Sequence, residues 1–249
     1  EEGVHSGGAS GHVPSSFRIA RQLLSRLEDE NTGEIKLREL HTNVPNHRIS
    51  ETEVFVDILG QEVVDEFPWQ DKTRPSTEDL LEGVLRRTWR PALSVVGANG
   101  LPPSENAGNV LRPYTELQLS IRIPPMVDPL LAQKAIVKQL TEDVPYNATV
   151  VVETEEAAAG WSAPKTSDWL AKAIEKASLN HFEERDCSMS EGGTIPFMAM
   201  LGEKYPEAQF VITGVLGPNS NAHGPNEFLH IPYAKKLTCC IASIINDFN

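Results

Sequence analysis

The sequence predicts an α/β protein whose first part is an α+β sandwich, an antiparallel sheet with helices packed on it. Three observations carry this. Several segments repeat apolar residues at helical spacing. The stretch "YTELQLSIRI" (114–123) instead alternates strictly, setting Leu117, Leu119, Ile121 and Ile123 on one face of a strand. A capped helix and a second apolar run follow it at once, so strand, helix and strand succeed one another beside earlier helices.

In order along the chain, Ser15 and Ser16 cap a helix to about Glu30, with Phe17, Ala20, Leu24 and Leu27 on one face. "NTGEI" turns the chain out of it. "SETE" (50–53) has capping-box form and begins a helix to about Leu59. "STEDLLEGVLRR" (76–87) is a short helix and "ALSVV" (92–96) a short strand. Pro124 and Pro125 end the alternating strand, and Asp128 caps a helix to about Glu142 with Pro129 at its first position. "NATVVVET" (147–154) supplies another strand. The loop "EEAAAGWSAPKT" then separates this block from the last part, with a boundary near 155–162. That part is expected to run helix (167–181), helix (194–203), strand (209–215), a loop around His223, and helix (233–247). Leu237, Ile241, Ile244, Ile245 and Phe248 form the stripe expected to be buried on the last helix.

With 249 residues, 40% of them hydrophobic, the chain can build one large core or two small ones. A formal charge of −13 argues against nucleic acid or an anionic membrane as main partner, because both need basic patches. No run approaches the length of a membrane span, and no charged-then-apolar leader opens the chain. Three cysteines, Cys187, Cys239 and Cys240, fit free thiols in a reducing cytoplasm. The opening "EEGVHSGGASGHVP" starts mid-loop, so the chain is expected to be the remainder of something longer.

Four stretches could carry chemistry. "GVHSGG" (3–8) sets His5 among glycines that let backbone approach a ligand closely. "NVLRP" followed by "SIR" places Asn109 and Arg122 around one strand, where an arginine can clamp a carboxylate with two hydrogen bonds. "SEGGTIPF" (190–197) puts Glu191, Gly192, Gly193 and Thr194 at a helix start, where free backbone N–H groups favour an anion. "GPNSNAHGPNEF" (217–228) holds His223 in a bent loop, with Glu227 four residues on. The motifs H-x-D, H-E-x-x-H, C-x-x-C and G-x-S-x-G do not occur; the pairs Glu155-Glu156 and Glu183-Glu184 are read as surface charge. The residues alone thus point to a protein that binds a small carboxylate.

Taken together and in order, these four stretches resemble the di-zinc metallopeptidases that include carnosinase-type dipeptidases, aminoacylase, and acetylornithine and succinyl-diaminopimelate deacylases (peptidase clan MH). The dipeptidase branch matches best. The resemblance implies a lid, or dimerisation, domain over residues 1–157 and the C-terminal part of a zinc-binding α/β catalytic domain over 158–249. It assigns His5 to oxyanion stabilisation in the partner subunit's active site. It gives Asn109 and Arg122 to the substrate carboxylate, and Glu191, Gly192, Gly193 and Thr194 to the substrate's C-terminal end. His223 becomes a zinc ligand, one of a set serving two zinc ions, with manganese as another possible metal. The family's remaining ligands and its general base precede the lid, so a missing N-terminal catalytic portion is implied, and the 249 residues alone are expected to be inactive. A histidine that the dipeptidases often carry near the second hinge has no counterpart in "EEAAAGWSAP". The implied function is hydrolysis of an amide bond in a dipeptide by a cytoplasmic homodimer. The alternatives are an N-acyl amino acid deacylase and a non-catalytic dimerisation module.

Overall fold

The computed structural model describes residues 2–192 and 196–248. Its elements are β1 (Val4–His5), α1 (Ser6–Ala9), α2 (Ser16–Leu27), α3 (Asn46–Leu59), α4 (Glu62–Asp65), α5 (Leu80–Thr88), β2 (Ala92–Asn99), β3 (Val110–Leu111), β4 (Glu116–Arg122), α6 (Pro129–Thr141), α7 (Asp168–His181), α8 (Pro196–Lys204) and α9 (Ile231–Asn246). They divide into two compact units. The first takes in the chain up to Asn46, Leu59–Trp161 and the stretch that begins at Ser190; the second takes in His47–Ile58, Ser162–Met189 and the chain from Phe197.

In the first unit β2 and β4 pair antiparallel, with Ala92 opposite Arg122 and Asn99 opposite Glu116; a bulge lies between Val95 and Gly97. The alternation in "YTELQLSIRI" becomes this sheet's covered face. Leu119 packs with Leu93 on the cluster of Ile19, Leu23, Leu27 and Leu140, and Ile121 and Ile123 pack on Ile35, Leu40, Val127 and Ala132. Helices α2 and α6 therefore lie over one side of the sheet, while Glu116, Gln118 and Arg122 face water. Asp128 caps α6 as expected, its carboxylate accepting from the Leu130 and Leu131 amides at 2.9 and 3.0 Å. The other end of α6 is closed by Arg26 of α2, whose guanidinium donates to the carbonyls of Gln139, Glu142 and Asp143 at 3.2, 2.7 and 2.6 Å. The Gln139 carbonyl is one of those that the last turn of a helix leaves without a partner, and Glu142 and Asp143 follow directly after it.

Several local expectations shift. The buried stripe of α2 is Ile19–Leu23–Leu27, with Phe17 exposed. That helix stops at Leu27 because Asp29 accepts from the Asn31 and Thr32 amides, closing a turn that competes with the next helical bonds. Helix α3 starts directly after Pro45, so "SETE" lies inside it: Thr52 is buried, donating to the Arg48 carbonyl at 2.7 Å, and Glu51 pairs with Arg48. Residues 147–154 are not assigned as a strand. Val150 and Val152 still pack inward, and Val151 is 78% exposed. The alternation is real, but among the described residues no ladder partner accompanies it.

The second unit is centred on α7 against α9. Leu170, Ala173 and Ala177 meet Cys240 and Ile244, with Ile174, Phe182 and Ile241 around them. His181 shares a hydrogen bond with the Ser243 hydroxyl at 2.9 Å, and Lys176 pairs with Asp247 at 2.7 Å. Two members of the expected stripe on α9 are corrected: Ile245 and Phe248 are 68% and 67% exposed. Phe248 keeps one ring contact, to Trp169 at 5.1 Å. Residues 209–215 are likewise not assigned as a strand, for the reason that applies to 147–154.

Candidate functional site

His5 sits where β1 runs into α1. It is the N-cap of that single turn, and its Nδ1 accepts from the Gly7 amide at 3.1 Å. An acceptor nitrogen carries no proton, so in the neutral ring the proton is on Nε2, and the exposed side chain presents an N–H donor to solvent. The corner is built from backbone. His5 lies opposite Val110 in the β1–β3 pair, and the Ser6 amide donates to the Asn109 carbonyl at 2.8 Å. Gly3 packs closely against β3, since a β-carbon there would stand 2.7 Å from a Val110 methyl group and would displace it. The structure thus brings His5 and Asn109 together, and Asn109 is exposed. Beside this corner, Ser10, Gly11, Phe17, Arg18, Leu101 and Arg112 line a cleft of about 290 Å³.

Arg122 ends β4 on the uncovered face of the other small sheet, so Asn109 and Arg122 do not flank one strand. Its guanidinium is exposed and, among the described residues, has no hydrogen-bond or ion-pair partner. A free fork of N–H donors on a rigid strand suits a carboxylate.

Glu191 and Gly192 lie in the first unit. Glu191 is exposed, and a β-carbon on Gly192 would stand 2.5 Å from the Arg87 carbonyl oxygen. The preceding Ser190 accepts from the indole N–H of Trp89 at 3.2 Å. Nothing in the sequence marked Trp89 or Arg87 as belonging to a site; the signal, a tryptophan spending its one donor far along the chain, exists only in the fold. Gly193 and Thr194 lie outside the described residues.

His223 belongs to the second unit and is exposed, on a loop made almost wholly of turns. Asn219, Asn221, His223 and Asn226 all have left-handed backbone, with φ of 59°, 54°, 61° and 59°. The side chain of Asn221 donates to the Pro225 carbonyl at 2.7 Å, and the Gly224 amide donates to the Asn221 carbonyl at 2.9 Å. Glu227 accepts from the His223 amide at 2.9 Å, and among the described residues the imidazole makes no hydrogen bond. Beneath the loop, Ser220 is buried and its hydroxyl lies 2.8 and 2.7 Å from the Leu216 and Gly217 carbonyls. The base is tied to α9 by the His230 amide, which donates to the Leu216 carbonyl at 2.7 Å. His223 is therefore a stiffly mounted single nitrogen donor. A zinc ion needs about four ligands, and among the described residues no group of three or more His, Cys, Asp or Glu could hold a metal. The imidazole suits one position of a zinc site, and the other donors are not supplied by the described residues.

Two of the three cysteines are poorly set for reactivity. The Cys187 thiol is pushed up by burial and then by the neighbouring Asp186 charge, and Cys240 is pushed up by burial and then by Cys239. Reactive thiols sit in the opposite kind of setting. No helix among the described residues is long and apolar enough to cross a membrane.

The family model for the M20 peptidase dimerisation domain matches residues 1–147, and the chain belongs to that family. It is similar to a cysteinylglycine-S-conjugate dipeptidase of Corynebacterium striatum, at 28% identity over 93% of this chain and 50% of that protein. Among solved structures it resembles human carnosine dipeptidase 1, with TM-score 0.67 and 19% identity over 99% of this chain and 52% of the other. The di-peptidase Dug1p of Saccharomyces cerevisiae matches with TM-score 0.67 and 20% identity, over 98% and 51%. The M20 family metallo-carboxypeptidase Sso-CP2 of Sulfolobus solfataricus gives 0.67 and 16%, over 98% and 55%. These structural likenesses establish the fold, and the chain spans about half the length of each relative.

Proposed function

We propose that the chain is the lid (about 1–157) and C-terminal catalytic portion (about 158–249) of a zinc-dependent dipeptidase-type hydrolase. The other metal ligands and the general base would come from a catalytic portion outside these residues. The observation that carries the reading is the mounting of His223: an exposed imidazole on a loop fixed by left-handed residues, a buried serine and Glu227, with no structural task for its ring. Metal–ligand distances tolerate little slack, and such stiffness suits a ligand better than a surface turn. Family membership and the dipeptidase-named relative support the same reading.

In this mechanism His223 would hold one zinc position, and the metal, when bound, would supply Lewis acidity toward the amide carbonyl. His5 of the partner subunit donates from Nε2 to the carbonyl oxygen as negative charge develops there, with Gly7 keeping the ring in the donating tautomer. Arg122 and Asn109 orient the substrate carboxylate, and the turn at Glu191 and Gly192 receives the substrate's C-terminal end. The partners are a dipeptide and a second copy of the protein, in the cytoplasm.

Zinc content and turnover test the reading. The protein carrying both portions should bind zinc and cleave dipeptides, and His223→Ala should lose roughly one zinc per subunit, because removing a direct ligand costs most of the affinity. Unchanged zinc in that variant returns His223 to a structural turn. Cleavage of N-acyl amino acids in preference to dipeptides would make the protein a deacylase. A natural product without zinc or upstream ligands would make it a dimerisation module.

A further inference from the structure

We propose that the C-terminal end of α5 is the seat of the Glu191–Gly192 turn, and that Trp89 and Arg87 are positioning residues for the substrate carboxylate. This rests on the assignment of Glu191 and Gly192 to the substrate's C-terminal end made above.

One hydrogen bond and one close backbone approach place the turn, on either side of Glu191. Trp89 is 3% exposed, and its indole N–H, the side chain's single donor, is spent on the Ser190 hydroxyl across 101 residues of sequence. On the other side Gly192 lies against the Arg87 carbonyl, at a separation that admits no β-carbon. A carbonyl oxygen on a helix end cannot swing aside as a flexible side chain can, so residue 192 must be glycine while the turn sits here.

The seat is itself fixed. The amides of Trp89 and Arg90 both donate to the Leu85 carbonyl, at 2.7 and 2.9 Å, closing the end of α5. The Arg90 guanidinium returns to Glu82 at 3.3 Å. The Arg87 side chain pairs with Glu66 and lies over the Phe67 ring at 5.6 Å, and Phe67 meets Trp69 edge-on. This gives the segment just after α4, which the proposed reaction leaves without a part, a defined role. It braces Arg87 from the side chain while the Arg87 carbonyl meets Gly192.

The backbone at Ser190–Gly192 thus lies against α5 within the same unit. Loosening the seat should weaken binding of the carboxylate without changing bond cleavage, because the seat touches neither the reacting carbonyl nor His5.

The experiment uses the protein carrying both portions, with dipeptides and their C-terminal amides as substrates. Trp89→Phe and Ser190→Ala each delete the indole–hydroxyl bond, the second with little change in bulk. Each is expected to raise KM for the free-acid dipeptide about 5- to 20-fold, with kcat within about twofold. The double variant should be no worse than either single one, since both remove the same bond. KM for the dipeptide amide, which has no carboxylate to place, should move less than about twofold. Trp89→Phe could also loosen packing; Ser190→Ala, in a half-buried loop position, reads the same bond without that risk. An active wild type whose variants keep KM, or lose acid and amide equally, overturns the seat alone. A wild type that does not cleave dipeptides overturns the underlying assignment and the seat together.

Discussion

Gly217→Ala is the most informative single change in the His223 loop. Gly217 has φ of +89°, and a β-carbon there would stand 2.8 Å from the His230 β-carbon and 3.0 Å from Cβ and Cγ of Tyr233. Two costs add. Left-handed backbone on a residue with a side chain costs about 1–2 kcal/mol, and forcing a methyl into filled space costs about 1–3 kcal/mol. The sum is about 2–5 kcal/mol, for one methyl group. The neighbours cannot yield cheaply. His230 caps α9, accepting from the Tyr233 amide at 3.1 Å, and its own amide holds the Leu216 carbonyl. The loop is therefore expected to move, carrying His223 with it. On the proposed function, zinc affinity should fall about 10- to 100-fold, as when a ligand's support is lost. The midpoint of thermal unfolding should fall by about 2–4 °C for each kcal/mol retained in the folded state. Gly214→Ala is the control, because a β-carbon there meets nothing within 4 Å and the backbone is not left-handed. Competition with a chromophoric chelator gives the affinity and calorimetry gives the midpoint. Equal behaviour of the two alanine variants would refute the argument.

Two further outcomes are expected. In the protein carrying both portions, His5→Ala should lower kcat about 100- to 1000-fold with little change in KM, the signature of a donor used in the transition state; Arg122→Ala should raise KM as well, and steady-state kinetics giving both variants one profile would remove the division of roles. Arg26→Ala deletes three bonds to the end of α6. Water can replace part of each, so about 1.5–3 kcal/mol of stability should be lost in urea denaturation, with Arg26→Lys losing less because an ammonium keeps one of the bonds.

The parts of the fold legible in the sequence were those where a local signal and a tertiary role coincide. Asp128 before Pro129 marked the start of α6 because the cap is made within one turn, and "YTELQLSIRI" marked β4 because its alternation is the buried face. Where a local motif met a competing local bond it misled: "SETE" looks like a helix start but lies inside α3, where Thr52 bonds back to Arg48. Apolar runs at 147–154 and 209–215 carried strand propensity, yet a strand also needs a partner's hydrogen bonds, and no local pattern contains those. The β1–β3 pair was illegible for the converse reason. It is two residues long on each side and sits among glycines, held by backbone that has no sequence signature. The candidate site followed the same rule: His5 and His223 stood out by their turn-forming neighbours, while Trp89 and Arg87 act across about a hundred residues.

The candidate residues share a construction that separates their chemistry from the stability of the fold. His5 is set by the Gly7 amide, His223 by Glu227 and the Asn221 turn, and Gly192 by the Arg87 carbonyl. In each case a backbone group takes part in the mounting, and the side chains of His5, Asn109, Arg122, Glu191 and His223 are all exposed. Burying a charged or polar group without a partner costs several kcal/mol, which a chain with only a few clusters of buried side chains would feel strongly. Mounting these groups on backbone at the surface avoids that cost while keeping their positions. It also follows that truncating Asn109, Arg122, Glu191 or His223 should leave the folded state nearly intact, since exposed side chains away from a core contribute within about half a kcal/mol, whereas His5→Ala also removes the cap bond from the Gly7 amide. A loss of function in such a variant, with an unchanged melting curve, can then be assigned to chemistry. The supports Gly3, Gly192 and Gly217 behave in the opposite way, because each faces atoms that a side chain would displace.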